Sequence, residues 1–326
     1  MPVTDRVTRG AMMRKALSIA LALCLSPVAT ATQIGVQVGT CPLDGAPVKV
    51  NHQLATNTHG GYDSDLCSYA SNGQWRTYAV ATCEKDLFSL LASDFDVVRD
   101  EATTKALLAE SKAVQAQIKD IDALEAWDRQ AIAVRFYRVL GKDDATLGEL
   151  TLTAAWLARD EAVGVYEGLD GPIAAIKLLS AGDAELEKPL TTAQRKSVLY
   201  NLARVAHRAG ENQQRDHYLA EFEKLQPLDS VEKQAIARMR KMTHEVEPAY
   251  QDDAIALFRS WLNQPDHPPA RVLRISYVLA DTLRRRDRFR EAFLLYTLVA
   301  GDENAPQQLR ELSIFLASHI ADRAKK

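Results

Sequence analysis

Tyr200-Asn-Leu-Ala-Arg-Val-Ala-His-Arg-Ala-Gly210-Glu-Asn, continued by Tyr218-Leu-Ala-Glu-Phe222-Glu-Lys-Leu-Gln-Pro227, decides the fold. Apolar residues recur there at steps of three and four, the period of a helix with one buried face. Small Ala203 sits where two helices would touch, Gly210 falls at the turn, aromatics mark the second helix and Pro227 closes the unit. A second copy runs Tyr277-Val-Leu-Ala280-Asp-Thr-Leu283, then Arg286-Asp-Arg-Phe289-Arg-Glu-Ala292 and Tyr296, with Ala280 and Ala292 at the two small positions.

Both copies resemble a tetratricopeptide repeat, the first departing at Arg215, where the repeat wants alanine. A lone hairpin cannot bury its apolar face, whereas stacked hairpins share a continuous core and form a groove. Upstream the same period continues through Leu124, Trp127, Ala131, Val134 and Tyr137, stops at Gly141, and restarts from Thr146 to Trp156. The spacing predicts about ten helices from residue 97 to residue 326. The alternative is an irregular helical bundle.

Residues 32–96 read differently. Pro42, Gly45, Pro47, Gly60, Gly61 and Gly73 punctuate the stretch. Strands are predicted from Pro47 to His52 and from Trp75 to Thr82, with Thr56 to Asn72 a polar loop between them. At the N-terminus, Arg14 and Lys15 precede an apolar run from Ala16 to Leu25, then Pro27 and Ala29-Thr30-Ala31. A basic start, a short apolar run and an A-x-A exit make a secretory signal over residues 1–31, cut after Ala31. A run of about ten residues is short of the roughly 20 needed to cross a bilayer. Met12 and Met13 offer an alternative start, and Cys24 a lipoprotein reading that Leu23 disfavours. The expected location is periplasmic or secreted, with no membrane span in the mature chain.

A net charge of −3 gives no basic footprint for nucleic acid. The chain has no C-x-x-C, H-E-x-x-H or G-x-S-x-G, no phosphate-cradling glycine loop and no dinucleotide fingerprint. His59 reads as a solvent-facing loop residue, or as a ligand or base. His217 and Glu221 read as a solvated i, i+4 pair or as a metal pair. Asp63 and Asp65 are expected to build turns and Asp94 and Asp96 to cap the next helix; together they could instead offer oxygens to calcium. Arg284, Arg285, Arg286, Arg288 and Arg290 crowd the turn of the second repeat as a solvated cluster, or as a receptor for an acidic partner.

Three of the four cysteines follow Ala31, at Cys41, Cys67 and Cys83. Cys41-Pro-Leu-Asp44 and Cys83-Glu-Lys-Asp86 share one shape, a cysteine and then an aspartate three positions on. In a zinc ribbon each would be C-x-x-C. Together with Thr56-Asn-Thr-His-Gly-Gly-Tyr-Asp-Ser-Asp-Leu-Cys67, Ser93-Asp-Phe-Asp96 and Ala154-Ala-Trp-Leu-Ala-Arg-Asp160, this stretch resembles the bacterial domain of unknown function 2225. That resemblance implies a zinc-ribbon-like module joined to tetratricopeptide-like helices, and it brings no catalytic residue. Family members generally carry cysteine where Asp44 and Asp86 stand, so a metal role here is in question. A ribbon would place Cys41 near Cys83, and export would favour a disulfide between them, worth about 4 kcal/mol in the chain-entropy model. The alternatives are a zinc site of Cys41, Asp44, Cys83 and Asp86, or a pairing that includes Cys67. Any single disulfide leaves one thiol over, buried and inert or reactive.

The expected fold is therefore mainly α, a tetratricopeptide-like helical-hairpin solenoid behind a small β, zinc-ribbon-like module. The expected function is a non-catalytic scaffold of the bacterial envelope without cofactor, holding a protein or peptide partner in its groove. The rival is a metal- or redox-responsive protein using Cys41, Cys67 and Cys83, with zinc as its cofactor.

Overall fold

The computed structural model describes residues 32–97, 99–164 and 169–325; residues 1–31, on which the expected secretory signal falls, lie outside them. The protein is mainly helical, with small antiparallel sheets at its N-terminal end. Strand β1 (Gln33–Thr40) pairs with β2 (Pro47–Ala55), and β3 (Val80–Thr82) pairs with β4 (Ser89–Leu91). The predicted strand from Trp75 is shorter than expected, because Trp75–Tyr78 form a 3-10 turn and only Val80–Thr82 are extended. Cys83 N–H donates to Phe88 O at 2.8 Å, closing the β3–β4 hairpin.

Eleven segments of α-helix follow among the described residues. They are α1 (Glu101–Gln115), α2 (Ala126–Val139), α3 (Asp144–Val163), α4 (Pro172–Leu186), α5 (Thr192–Ala209), α6 (Asn212–Lys224), α7 (Ser230–Lys241), α8 (Glu247–Leu262), α9 (Pro269–Arg285), α10 (Phe289–Gly301) and α11 (Gln307–Ala324). A π turn, Met242–Val246, joins α7 to α8. Their ends carry the expected local chemistry. Thr191 and Gln194 form a capping box at the start of α5, and Asp229 and Glu232 do the same for α7. Asp100, rather than Asp94 or Asp96, caps α1, by accepting from Thr103 N–H at 2.7 Å. Asp94 instead accepts from the Tyr137 hydroxyl at 2.6 Å.

Sequential helices pack as hairpins: α2 on α3, α5 on α6, α9 on α10 and α10 on α11. Ala203, Ala280 and Ala292 are fully buried, as the repeat spacing requires. The packing then goes beyond nearest neighbours, because α3 also lies along α8 and touches α5 and α7. It contributes to all three apolar clusters: Leu147 to the N-terminal one, Ala154, Leu157 and Ala158 to the middle one, and Ala145, Leu152 and Ala155 to the C-terminal one. Alanine every few residues lets neighbouring backbones come close on several sides. The N-terminal sheets share their core with α1 and α2 through Phe88, Phe95 and Phe136, and Ser111 of α1 donates to Asp86 O at 2.5 Å.

Gly148 of α3 faces the buried ring of Phe258, and a Cβ there would stand 2.5 Å from Cε1 and 2.7 Å from Cδ1. Helix propensity alone would make Gly148→Ala stabilising by about 1 kcal/mol. Overpacking a closed core costs about 1–3 kcal/mol. We expect net destabilisation, read as a lower urea midpoint at an unchanged m-value.

Candidate functional site

The polar loop closes on itself as a small hairpin. Gly60 N–H donates to Tyr69 O at 3.0 Å, Tyr69 N–H to Gly61 O at 2.8 Å and Asp63 N–H to Cys67 O at 2.8 Å. Gly61 has φ +74°, and a Cβ would lie 1.7 Å from Leu169 O, so glycine is required twice over. This hairpin thrusts its tip, Asp63-Ser64-Asp65, between helices α3, α5 and α9, where all three residues are buried.

Four guanidinium groups meet the tip. Arg159 of α3 donates to Asp63 at 3.0 Å, to Asp65 at 2.7 Å and, from its other edge, to Glu247 of α8 at 2.7 Å. Arg208 of α5 donates to Asp63 at 2.8 Å and lies over the Tyr69 ring at 3.9 Å. Arg284 and Arg285 of α9 each donate to Asp281 at 3.0 Å and to the Ser64 hydroxyl, at 2.8 and 3.2 Å. Tyr277 donates to Ser64 O and Tyr296 to Asp281, both at 2.6 Å. Asp63, Asp65, Asp281 and Glu247 thus face Arg159, Arg208, Arg284 and Arg285, a balanced set enclosed by protein. Unpaired, any of these charges would be costly to bury; paired and hydrogen-bonded, they fix one geometry.

Asp63 and Asp65 do build the turn, Leu66 N–H donating to Asp63 O at 3.0 Å and Cys67 N–H to Asp65 Oδ1 at 3.3 Å, and guanidinium groups hold their carboxylates. The arginine cluster is a correction. Arg284 and Arg285 are buried rather than solvated. Their guanidiniums also serve the end of α5, donating to the carbonyls of Arg208 and Ala209 and to that of His207, which accepts from Gly210 N–H as well. Gly210 follows at φ +74°, with Arg284 Nη2 where a Cβ would be, 2.6 Å away. Of the remaining cluster, Arg286 pairs with Asp252 at 2.9 Å and Arg290 is exposed. His59 and His217 are exposed as expected, and Glu221 pairs with Lys224 at 2.5 Å.

Arg215, the residue that breaks the repeat pattern, donates to His207 Nδ1 at 3.1 Å. Because Arg215 can only donate, His207 Nδ1 accepts and the ring gives its Nε2–H to Glu247 at 2.6 Å, a neutral form that burial, which pushes the His207 pKa down, also favours. Burial alone would raise Glu247, but Arg159, His207 and Arg285 together outweigh it and hold the carboxyl at about 2. Asp65 is likewise held below the usual carboxylate range, burial being outweighed by Arg159 and Arg285. Beside this chain lies a polar cleft of about 320 Å³ lined by His207, Arg215, Thr243 and Glu247.

Cys41 and Cys83 are joined by a disulfide, with Cα atoms 6.1 Å apart. Asp44 and Asp86 stand beside it, the four donor atoms lying within 4.8 Å of one another, and Asp86 Oδ2 is 3.2 Å from Cys41 Sγ. Burial, then the neighbouring Asp44, raises the Asp86 pKa. Two thiolates and two carboxylates are a donor set that zinc accepts. The sulfurs fit that role only when reduced, since a disulfide offers no thiolate. Cys67 lies apart from this cluster, buried beneath the loop tip, and burial pushes its thiol up to about 12. Of the two possibilities, burial favours the inert thiol over the reactive one.

An apolar groove of about 550 Å³ lies where α5, α6 and α7 meet, walled by Tyr200, Phe222 and Val231. Lys196 and Glu232 pair at 2.8 Å on its margin. No described helix is long and apolar enough to cross a membrane.

The sequence matches, over residues 46–246, the family described as an uncharacterized protein conserved in bacteria, DUF2225. The chain belongs to this family. The DUF2225 match takes in the Asp63–Asp65 tip, Arg159, Arg208 and Cys83, and stops one residue short of Glu247. Cys41, Asp44 and the α9 half of the ion cluster lie outside it. No curated protein and no solved structure matches the chain.

Carboxyl groups whose folded pKa is depressed stabilise the fold above their ordinary pKa and cease to do so as pH falls through the folded value. For Glu247 that window runs from about 4.5 down to about 2. We expect the thermal midpoint to be flat above about pH 5 and to fall through that window. Glu247→Gln should lower the midpoint at neutral pH and flatten the acid limb, measured by circular dichroism melts across pH.

Proposed function

We propose that this is an exported, non-catalytic protein of the bacterial cell envelope that holds a protein or peptide partner in the groove between α5, α6 and α7. In this reading the α5–α6 and α9–α10 hairpins are degenerate tetratricopeptide units, and the α5–α6 unit carries the binding surface. The observation behind it is the groove itself. It is large enough for one or two partner side chains, and Val231 on its wall is 71% exposed. Aromatic and aliphatic walls with a charged margin suit a partner segment that inserts an apolar side chain and leaves its polar backbone at the rim. Binding rather than catalysis is supported by the buried acids and His207, whose polar atoms are engaged with guanidinium groups and with one another. Export is supported by the basic start, apolar run and A-x-A exit, and by a disulfide, which an oxidising compartment sustains.

A photo-crosslinking residue placed at position 231 should give a discrete adduct with an envelope protein. Val231→Glu should abolish capture of that protein by the otherwise native chain, with stability unchanged within about 0.5 kcal/mol, as for an exposed surface substitution. Adducts that are diffuse, or capture indifferent to Val231→Glu, would remove the groove from the account.

The proximity of Asp44 and Asp86 to the disulfide favours a second reading, in which reduction turns the Cys41–Cys83 pair into a metal-binding centre and the protein responds to redox state or zinc. Cys67, buried and hard to ionise, takes no part in it. Intact mass separates the two states. A gain of about 2 Da on reduction, with no metal retained in the native spectrum, identifies the disulfide as a structural staple. One zinc on the native mass, with three reactive thiols after denaturation, moves the responsive reading ahead.

A further inference from the structure

Strand β1 forms the outer edge of its sheet; among the described residues it pairs only with β2. At the closed end of this hairpin Cys41 N–H donates inward to Ala46 O at 2.7 Å. Backbone groups alternate along a strand, so those of Gly35, Gln37 and Gly39 also turn toward β2. Those of Ile34, Val36, Val38 and Thr40 then face outward. Natural edge strands are guarded by charges, prolines or bulges that block pairing with another chain. From Ile34 to Thr40 this edge has none of them. Val36 and Val38 are 59% and 72% exposed on one face of it.

The sequence also says what would cover the edge. Gly35-Val36-Gln37-Val38-Gly39 reads the same in both directions about Gln37. Two copies laid antiparallel about a two-fold axis through Gln37 would set each Val36 against the partner's Val38 and each Ile34 against the partner's Thr40. All of these residues have outward-facing backbone groups, so the register makes about eight hydrogen bonds. A slip of one residue would oppose outward groups to inward ones, and a slip of two would lose the pairing at one end. The valines of the two copies would cover one another, and the side chains flanking them on β2, Lys49 and Asn51, bring no opposed like charges. We propose that this protein self-associates through β1, two copies forming a continuous four-stranded sheet β2–β1–β1–β2 by an isologous contact.

An edge contact of this kind buries less than a standard interface of about 1,600 Å², so the dimer should be concentration-dependent. In sedimentation velocity the mass should rise from one chain toward two between about 1 and about 100 µM, the range expected of a small interface. The register is read by cysteine. Residues 37 of the two copies would face each other as a non-hydrogen-bonded pair with Cα atoms about 4.5 Å apart, within disulfide reach. With diamide taking up the two hydrogens, Gln37→Cys should give a covalent dimer. Val36→Cys, two residues out of register with its own mate, should give no more than the wild type. Val38→Lys should weaken association at least about tenfold, a loss of some 1.4 kcal/mol or more, while leaving the melting curve in place. A wild-type protein monomeric at every concentration would overturn the proposal. So would a Gln37→Cys variant that crosslinks no better than Val36→Cys.

Discussion

Arg159 is the point at which the rest of the molecule is tied together. It projects from the most central helix, one packed on several sides, and its guanidinium is fully enclosed. One edge of it grips the N-terminal loop through Asp63 and Asp65, and the other grips Glu247 at the start of α8. A guanidinium is suited to this because its donors are fixed in a plane and it stays charged at any working pH. Because the charge cannot be shed, each carboxylate around it must stay in place. Removal of any one would strand a charge far from water. Packing of apolar surface supplies the general drive to fold, but this constraint selects the one arrangement of loop and helices that satisfies it.

The α5–α9 contact shows the same logic in a second form. Two arginines from the end of α9 donate to the last carbonyls of α5, of which only that of His207 has a second donor, the Gly210 N–H. Both hairpins that carry the repeat pattern are thereby joined end to end, with Ser64 between them and Gly210 leaving room for Arg284. The repeat pattern explains how each hairpin closes on itself through Ala203, Ala280 and Ala292. It does not explain this junction, which depends on polar residues whose positions the small-residue spacing does not fix. Arg215 is instructive in this respect. As a member of a repeat it is a defect, yet as a neighbour of His207 it sets the tautomer that lets the ring donate to Glu247.

Much of the helical part could be read from the chain because burial on one face imposes a period that the residues must display. Gly141 and Gly210 end helices where the pattern stops, and the gap before Thr146 contains the true cap, Asp143. Strand β2 was visible through Val48 and Val50, whereas β1 was hidden by Gly35 and Gly39, which weaken a strand signal although Ile34, Val36 and Val38 alternate as a strand should. The ion cluster was illegible for a different reason. Its members are scattered from residue 63 to residue 285, and each read singly belongs on a loop or a helix end in water. One clue was present: Arg159 follows Ala154-Ala-Trp-Leu-Ala and at helical spacing shares a face with Ala155, Trp156, Ala162 and Val163, where a charge needs a partner. The aspartates of the Gly-Gly-Tyr-Asp-Ser-Asp loop are the other half of that pair.

The span of the cluster has a consequence for how the chain reaches its native state. Ser64 and Asp281 are 217 residues apart, and the Ser64–Arg285 contact spans 221. Synthesis delivers the N-terminal strands and loop long before α9 exists. Closure of so large a loop is entropically slow. Asp63 and Asp65 can meet Arg159 and Arg208 well before α9 exists, whereas Ser64 must wait for Tyr277, Arg284 and Arg285. A chain cut short before α9 would keep Arg159 and Arg208 for the two aspartates but lose Tyr277, Arg284 and Arg285 for Ser64, so the tip would be held on one side only.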